Sequence, residues 1–228
     1  MLGAAAGSLV AVPVVVAALL VRSRWDPLIR VDRTIADELY QVALDRPDYA
    51  GALKVGAVVL DPWSFRVAAL ALFVVLLRRG AHRLAWFVAV TTIAGGLTGV
   101  VVKALVARAR PVFPDPVHLA PSWSFPSGHA LNAALITAVF LLVLLPVLRR
   151  TRWRVTAWLV GALLVLATGY DRIGIGAHYL SDVLAGYGAA AAVVVATGFA
   201  FEAWQRVEKH EVGHLRSGID PEESEKLT

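Results

Sequence analysis

Ser124-Phe125-Pro126-Ser127-Gly128-His129-Ala130, followed by the apolar run 131–145, sets a proline, a small hydroxyl and a glycine directly ahead of a long apolar helix. The first turn of such a helix carries backbone N–H groups without intrahelical partners and the positive end of the helix dipole. It is a ready anion site, and His129 stands in that first turn as a candidate proton donor. Taken alone, the stretch reads more readily as a turn that caps a buried helix. The rest of the chain decides against that bland reading.

Of the 228 residues, 58% are hydrophobic and 17% are charged. A soluble domain carries about a quarter charged residues, so this composition belongs to a membrane protein. The chain has no cysteine, which removes disulfides, thiolate metal sites and cysteine nucleophiles together. The net charge of +5 could suggest nucleic acid. The arginines, however, fall in short clusters between apolar runs, which is the pattern of membrane orientation. Arginine outnumbers lysine, and alanine and valine abound, a usage that points to a GC-rich bacterial source.

Six apolar runs are candidate membrane spans, at about 2–21, 63–77, 84–106, 130–148, 155–168 and 183–201, and the first is long enough to cross about 30 Å of hydrocarbon. The first lacks a basic start and a small-residue cleavage site, so it is read as a span and not as a signal peptide. Between the first two, Val31, Ile35, Leu39 and Val42 recur at helical spacing beside Asp32, Arg33, Asp37 and Glu38. That pattern predicts an amphipathic helix over 30–46 lying on the membrane surface. Asp61-Pro62 interrupts the apolar stretch 51–60, which is expected to be only partly inserted. Gly95, Gly96 and Gly99 in the third span allow close helix contact. The expected fold is thus all-α: a six-helix membrane bundle over residues 1–204, with a polar, disordered tail at 205–228.

The short basic turns 78–83 and 149–154 belong in the cytoplasm by the positive-inside rule. Both termini then lie there too, and the loops after spans 1, 3 and 5 face outward. Tryptophans fit two interfacial belts, Trp25, Trp63 and Trp123 outside and Trp86, Trp153 and Trp204 inside.

The outward loops hold polar residues that a bundle does not carry idly. Lys103 lies near the end of span 3, and Arg110 follows seven residues later, ahead of Pro111. Two helical turns would set Lys103 and Arg110 on one face, with Arg110 at the helix exit. After span 5 come Asp171, Arg172, His178 and Asp182. His178 and Asp182 are four apart and share a helical face at the mouth of span 6. A carboxylate on one ring nitrogen fixes the tautomer and sharpens the nucleophilicity of the other. The blander readings are a snorkelling lysine and a capped helix start with an incidental histidine.

Together, Lys103-x6-Arg110-Pro111, Pro126-Ser127-Gly128-His129 and Arg172-x5-His178-x3-Asp182 resemble the three-part signature of the type 2 phosphatidic acid phosphatase (PAP2) superfamily. Order, spacing and placement at span ends agree over roughly residues 84–200, and the membrane-bound bacterial lipid phosphatase branch is the better match. That resemblance implies a phosphatase in which Lys103, Arg110, Arg172, Ser127 and the Gly128 N–H surround the phosphoryl oxygens. It implies that His178, oriented by Asp182, attacks phosphorus to give phosphohistidine, and that His129 protonates the leaving oxygen and then activates water. It implies no metal and no cofactor, a membrane lipid as substrate, and neither nucleic acid nor protein as partner. His118, His82, His210 and His214 match no position of the signature.

One position departs. The family usually has serine where this chain has Asp171, and a carboxylate there would repel a phosphate dianion unless Arg172 or a backbone group held it aside. Asp171 is therefore expected to be tolerated and not catalytic. Soluble vanadate-dependent haloperoxidases of the same family are a poor fit to a six-span chain. A transporter or a non-enzymatic membrane protein is the remaining alternative, but the charges gather at one face and not at the midplane. Three cations beside a helix N-terminus exceed the need of a phosphomonoester. The expected substrate is therefore an outer-leaflet polyprenyl (undecaprenyl or decaprenyl) diphosphate of the bacterial plasma membrane, with phosphatidate or phosphatidylglycerol phosphate as alternative.

Overall fold

The computed structural model describes residues 2–114 and 122–217, with side chains over 9–114 and 122–203. Its described residues form eight helices and no strand: α1 Leu2–Arg22, α2 Asp26–Asp45, α3 Pro47–Val59, α4 Pro62–Arg78, α5 His82–Val106, α6 Gly128–Leu144, α7 Thr151–Gly174 and α8 Leu180–Ser217. The expected spans correspond to α1 and α4–α8. By length and composition four segments can cross a membrane: Pro47–Arg78, His82–Val106, Thr151–Gly174 and Leu180–Ala203. The remaining two apolar helices, Leu9–Arg22 and Gly128–Leu144, are shorter.

The short helix α6 is the axis of the bundle. It is apolar all round, which suits a helix enclosed by others. Leu131, Leu135, Ile136 and Val139 are buried on it, with α4, α5, α7 and α8 packed around it and α1 laid against α8. Two of the three glycines expected to permit close contact do face it: Gly95 lies against Leu135 and Gly99 against Leu131, whereas Gly96 has open space. The outer helices turn large apolar side chains outward, among them Leu97, Val101, Leu105, Leu163 and Leu166. In water such a surface would aggregate; in hydrocarbon it is the expected one.

A helix does cover the expected range, as part of α2, but its inward stripe differs from the expected one. Asp32, Ala36, Tyr40 and Ala43 are buried, while Val31 and Val42 face outward. The reason is polar: the Asp32 carboxylate is pinned inside the molecule, and that contact sets the helix rotation. Apolar spacing does not register it. The stretch before α4 is a separate helix, α3, broken from α4 where Asp61 caps the new N-terminus by accepting from the Trp63 N–H at 2.8 Å. Beyond the expected end of the sixth span, α8 continues to Ser217, and residues 218–228 lie outside the described residues.

A second correction concerns Lys103 and Arg110. Helix α5 stops at Val106, and Ala107 takes a left-handed conformation (φ 49°). The two cations therefore do not share a helical face. They converge another way, Lys103 donating to the Trp123 carbonyl and Arg110 Nε to the neighbouring Ser122 carbonyl at 2.7 Å.

Candidate active site

The turn before α6 is held from two sides. Ser127 is fully buried and its hydroxyl accepts from the Ala130 N–H, the usual arrangement at a helix N-cap. Its own N–H donates to the Asp182 carbonyl at 2.9 Å. Helix α8 comes so close that a Cβ on Gly186 would lie 2.7 Å from the Ser127 carbonyl oxygen, so glycine is needed there. Ser127 is thus a structural cap with its amide already bonded. The Gly128 N–H, in the first turn of α6, has no intrahelical acceptor and points the helix end at the pocket. The stem of Lys103 passes close to Gly128.

His178 follows α7 in a short turn, where its N–H donates to the Arg172 carbonyl at 3.1 Å. The side chain is enclosed. Nδ1 lies 3.6 Å from Asp182 Oδ2 and 3.4 Å from Ser124 Oγ, while Nε2 meets Arg110 Nη1 at 3.1 Å. A guanidinium can only donate, so Nε2 carries the lone pair and the proton sits on Nδ1, toward Asp182. Burial pushes the His178 pKa down to about 4; Asp182 opposes that fall, and the Arg110 and Lys103 cations add to it. A histidine that is neutral at physiological pH and keeps its lone pair on Nε2 is a competent nucleophile once a phosphoryl oxygen draws the Arg110 guanidinium onto itself.

Asp182 is itself held at every side. Its carboxylate accepts from the Ser124 hydroxyl, from the Tyr179 N–H at 2.9 Å and from Arg108 Nη1 at 2.7 Å. Arg108 also donates to Ser181 Oγ at 2.8 Å and reaches Asp32 at 2.6 Å, and Asp32 in turn accepts from the Ser181 N–H at 2.9 Å. Burial works against the Arg108 charge, but the Asp182 and Asp32 carboxylates outweigh it and raise the pKa above the ordinary arginine value. Motif reading did not find Asp32, Arg108 or Ser124 as members of the site. Arg108 stands two residues before Arg110, and only the end of α5 at Val106 lets both turn inward.

His129, in the first turn of α6, pairs with a second arginine. Its Nε2 lies 3.0 Å from Arg172 Nη1 and 3.7 Å from Asp61 Oδ2. Arg172 is almost fully buried, and its Nε and Nη2 both donate to Asp171, the former at 2.9 Å. The carboxylate that the family pattern lacks is therefore turned onto Arg172 and away from the pocket. Its far oxygen rests against α3 at Gly56, where a Cβ would come within 2.5 Å of it. Each of the two histidines thus presents Nε2 to one arginine, and a tetrahedral oxyanion inserted between them would meet Arg110, Arg172, Lys103 and the start of α6.

The sequence expectation named His178, His129, Asp182, Lys103, Arg110, Ser127, Gly128 and Arg172; all lie in this one region. His118 lies outside the described residues.

A helical membrane bundle with this basic, two-histidine pocket at one end defines a class of phosphate-handling membrane proteins. Residues 83–205 match the PAP2 superfamily, and the chain belongs to that family. It is 37% identical over 90 residues to phosphatidylglycerophosphatase B of Bacillus subtilis (strain 168), a stretch covering 38% of this chain and 43% of that relative. The fold is similar to the crystal structure of a transmembrane PAP2 type phosphatidylglycerolphosphate phosphatase from Bacillus subtilis, with a TM-score of 0.63 and 21% identity. That similarity covers 86% of this chain and 95% of the other.

Proposed function

We propose that the protein is a membrane lipid phosphatase that hydrolyses a phosphomonoester, with phosphatidylglycerol phosphate as the favoured substrate. The observation that carries the reading is the pair of histidines, each with Nε2 against an arginine, one of them backed by a buried carboxylate. In the first step His178 Nε2 attacks phosphorus, the P–O bond to the lipid breaks, and His129 gives its proton to the departing oxygen. The products are the lipid alcohol and phosphohistidine. In the second step His129 takes a proton from water, the hydroxide attacks phosphorus, and the P–N bond breaks to release phosphate. Lys103, Arg110, Arg172 and the Gly128 N–H stabilise charge on the transferring group. Substrate binding draws Arg172 Nη1 onto a phosphoryl oxygen, which leaves His129 Nε2 to carry the proton.

The substrate follows from charge. The expectation of a diphosphate rested on counting three cations as available. Arg172, however, is paired with Asp171, and Arg108 with Asp32 and Asp182. Lys103 and Arg110 hold neutral acceptors, namely carbonyls, the Ser122 hydroxyl and His178. Lys103 and Arg110 are thus the two signature cations with no carboxylate in hydrogen-bond contact, which suits the dianion of a monoester better than a diphosphate, and the names of the relatives support the same choice. The membrane setting is a bacterial plasma membrane, with both termini cytoplasmic and the site outward. Single cysteines in the cysteine-free chain test that orientation: position 112 labels from outside, while positions 79 and 151 label only after permeabilisation.

Phosphate release by purified protein in one detergent, from phosphatidylglycerol phosphate, phosphatidate and polyprenyl diphosphate, tests the function. The expected order of kcat/KM puts the monoesters first. A diphosphate preference of about tenfold, 1.4 kcal/mol in transition-state binding, would overturn the substrate reading. No phosphate from any of the three would overturn the enzyme.

A further inference from the structure

Outside the phosphoryl pocket, a cleft of about 470 Å³ runs between α3 and the start of α4, lined by Lys54, Asp61, Trp63 and Ser64 and floored by Ile175. None of these residues belongs to the signature. The cleft reaches the site through one residue, Asp61, whose Oδ2 lies 3.7 Å from His129 Nε2 while its Oδ1 caps α4. Its position against α6 is fixed. Arg66 on α4 lies over the Trp63 ring and donates to Asn132 at 3.2 Å, and Asn132 donates to the Gly128 carbonyl at 2.7 Å.

We infer that this cleft is the subsite for the leaving alcohol, and that it selects a glycerol headgroup bearing an anionic phosphodiester. The inference rests on the phosphatase reading, because it is the proton donor that tells the two sides of the phosphorus apart. The oxygen that leaves is the one His129 protonates, so whatever is bonded to that oxygen occupies the space next to His129, which is the cleft. Asp61 stands against His129 and so meets the leaving group first; a hydroxyl on the carbon chain can donate to its carboxylate, with the Ser64 hydroxyl lining the same cleft. Lys54 lines the same cleft from α3, beyond the break at Asp61, and carries its ammonium on a long flexible stem. An anion a few bonds beyond the leaving oxygen falls within its reach.

That order discriminates among substrates. The glycerol of phosphatidylglycerol phosphate places a hydroxyl beside the leaving oxygen and a phosphodiester three carbons away, matching Asp61 and Lys54 in turn. Phosphatidate leaves as diacylglycerol, which offers neither group. A diphosphate leaves as a phosphate, whose charge would be set directly against Asp61.

The test compares kcat/KM for phosphatidylglycerol phosphate, phosphatidate and polyprenyl diphosphate in the same mixed micelles, using wild type, Lys54→Gln and Asp61→Asn. Phosphatidylglycerol phosphate and phosphatidate both leave as primary alkoxides, so a weakened proton donor moves them together, and their ratio reports the headgroup alone. Asparagine caps a helix as well as aspartate does, so Asp61→Asn keeps α4 intact, and an unchanged melting midpoint verifies it. Lys54→Gln lowers the ratio of phosphatidylglycerol phosphate to phosphatidate about tenfold, the worth of one charge-assisted hydrogen bond. Asp61→Asn lowers the same ratio and raises the ratio of diphosphate to phosphatidate. Active wild type with both ratios unmoved in both variants overturns the subsite while sparing the phosphatase. A wild type silent on all three lipids overturns the phosphatase and the subsite with it.

Discussion

Asp32 of helix α2 accepts from Arg108 Nη2 at 2.6 Å, although 76 residues separate them in the chain. The pair does more than dock α2. Arg108 is also the cation on Asp182, so α2, the loop after α5 and the proposed nucleophile form one buried network.

Breaking that network at one end should therefore be felt at the other. Asp32→Asn leaves a buried guanidinium with half its compensation, and Arg108→Met leaves two buried carboxylates without the cation that bridges them. Each single change is expected to cost about 3–5 kcal/mol of stability. The double variant should cost less than the sum of the two, with a coupling of about 1–3 kcal/mol in a double-mutant cycle on thermal or denaturant unfolding. Additive effects would mean that the contact is incidental. Activity is expected to fall in the kcat of both single variants, because Asp182 loses its fixed orientation.

The two histidines should fail differently. His178→Ala is expected to lose turnover and phosphoenzyme together, since it removes the attacking nitrogen. His129→Ala should still bind phosphate and should lose most turnover, least with substrates whose leaving groups need no proton. Acid-quenched protein mapped for labelled phosphate decides this. Label found on His129, or normal turnover by His178→Ala, would reverse the roles.

The pH profile carries the sign of His178's burial. Neutral His178 is the active form, and its pKa is lowered to about 4 by burial and by Arg110 and Lys103. After correction for the ionisation of the substrate, kcat/KM should hold down to about pH 4 instead of falling below the ordinary histidine value of about 6.5. Between those two values the unfolded chain binds a proton that the folded one refuses. This group's contribution to stability is therefore unchanged above about pH 6.5 and declines as pH falls from there to about 4. Nitrogen chemical shifts of labelled histidine read the same titration directly, and a midpoint near 6.5 would contradict the buried geometry.

The sequence reads Asp171 as tolerated and not catalytic, and its contact with Arg172 adds a structural role. Asp171→Ser removes the carboxylate from a buried arginine and should lower stability by about 3 kcal/mol or more. The freed guanidinium then gains a stronger claim on phosphate. Vanadate or inorganic phosphate should raise the melting temperature of Asp171→Ser more than that of wild type, and KM should fall. Equal stabilisation in the two proteins would show that Arg172 does not face the anion.

The helical membrane class, and the motif residues that the structure gathers in one region, were legible in the chain itself. Hydropathy depends on composition over windows of about 20 residues, and the three motif pieces keep their chemistry wherever the backbone carries them. His178 and Asp182 could be paired because four residues on a helix are neighbours by geometry alone. Contacts that cross the chain were beyond that reach. Asp32 looked like the polar side of an amphipathic helix and is buried, because its partner Arg108 arrives from another loop. Asp171 looked like an unwelcome charge and is turned onto its neighbour Arg172, with α3 packed behind it at Gly56. Asp61 looked like a helix breaker and stands beside His129. In each case the residue type was plain from the sequence, but its charge partner was set by packing. The balance of charge in the pocket, and with it the proposed substrate, was therefore decided only by the tertiary structure.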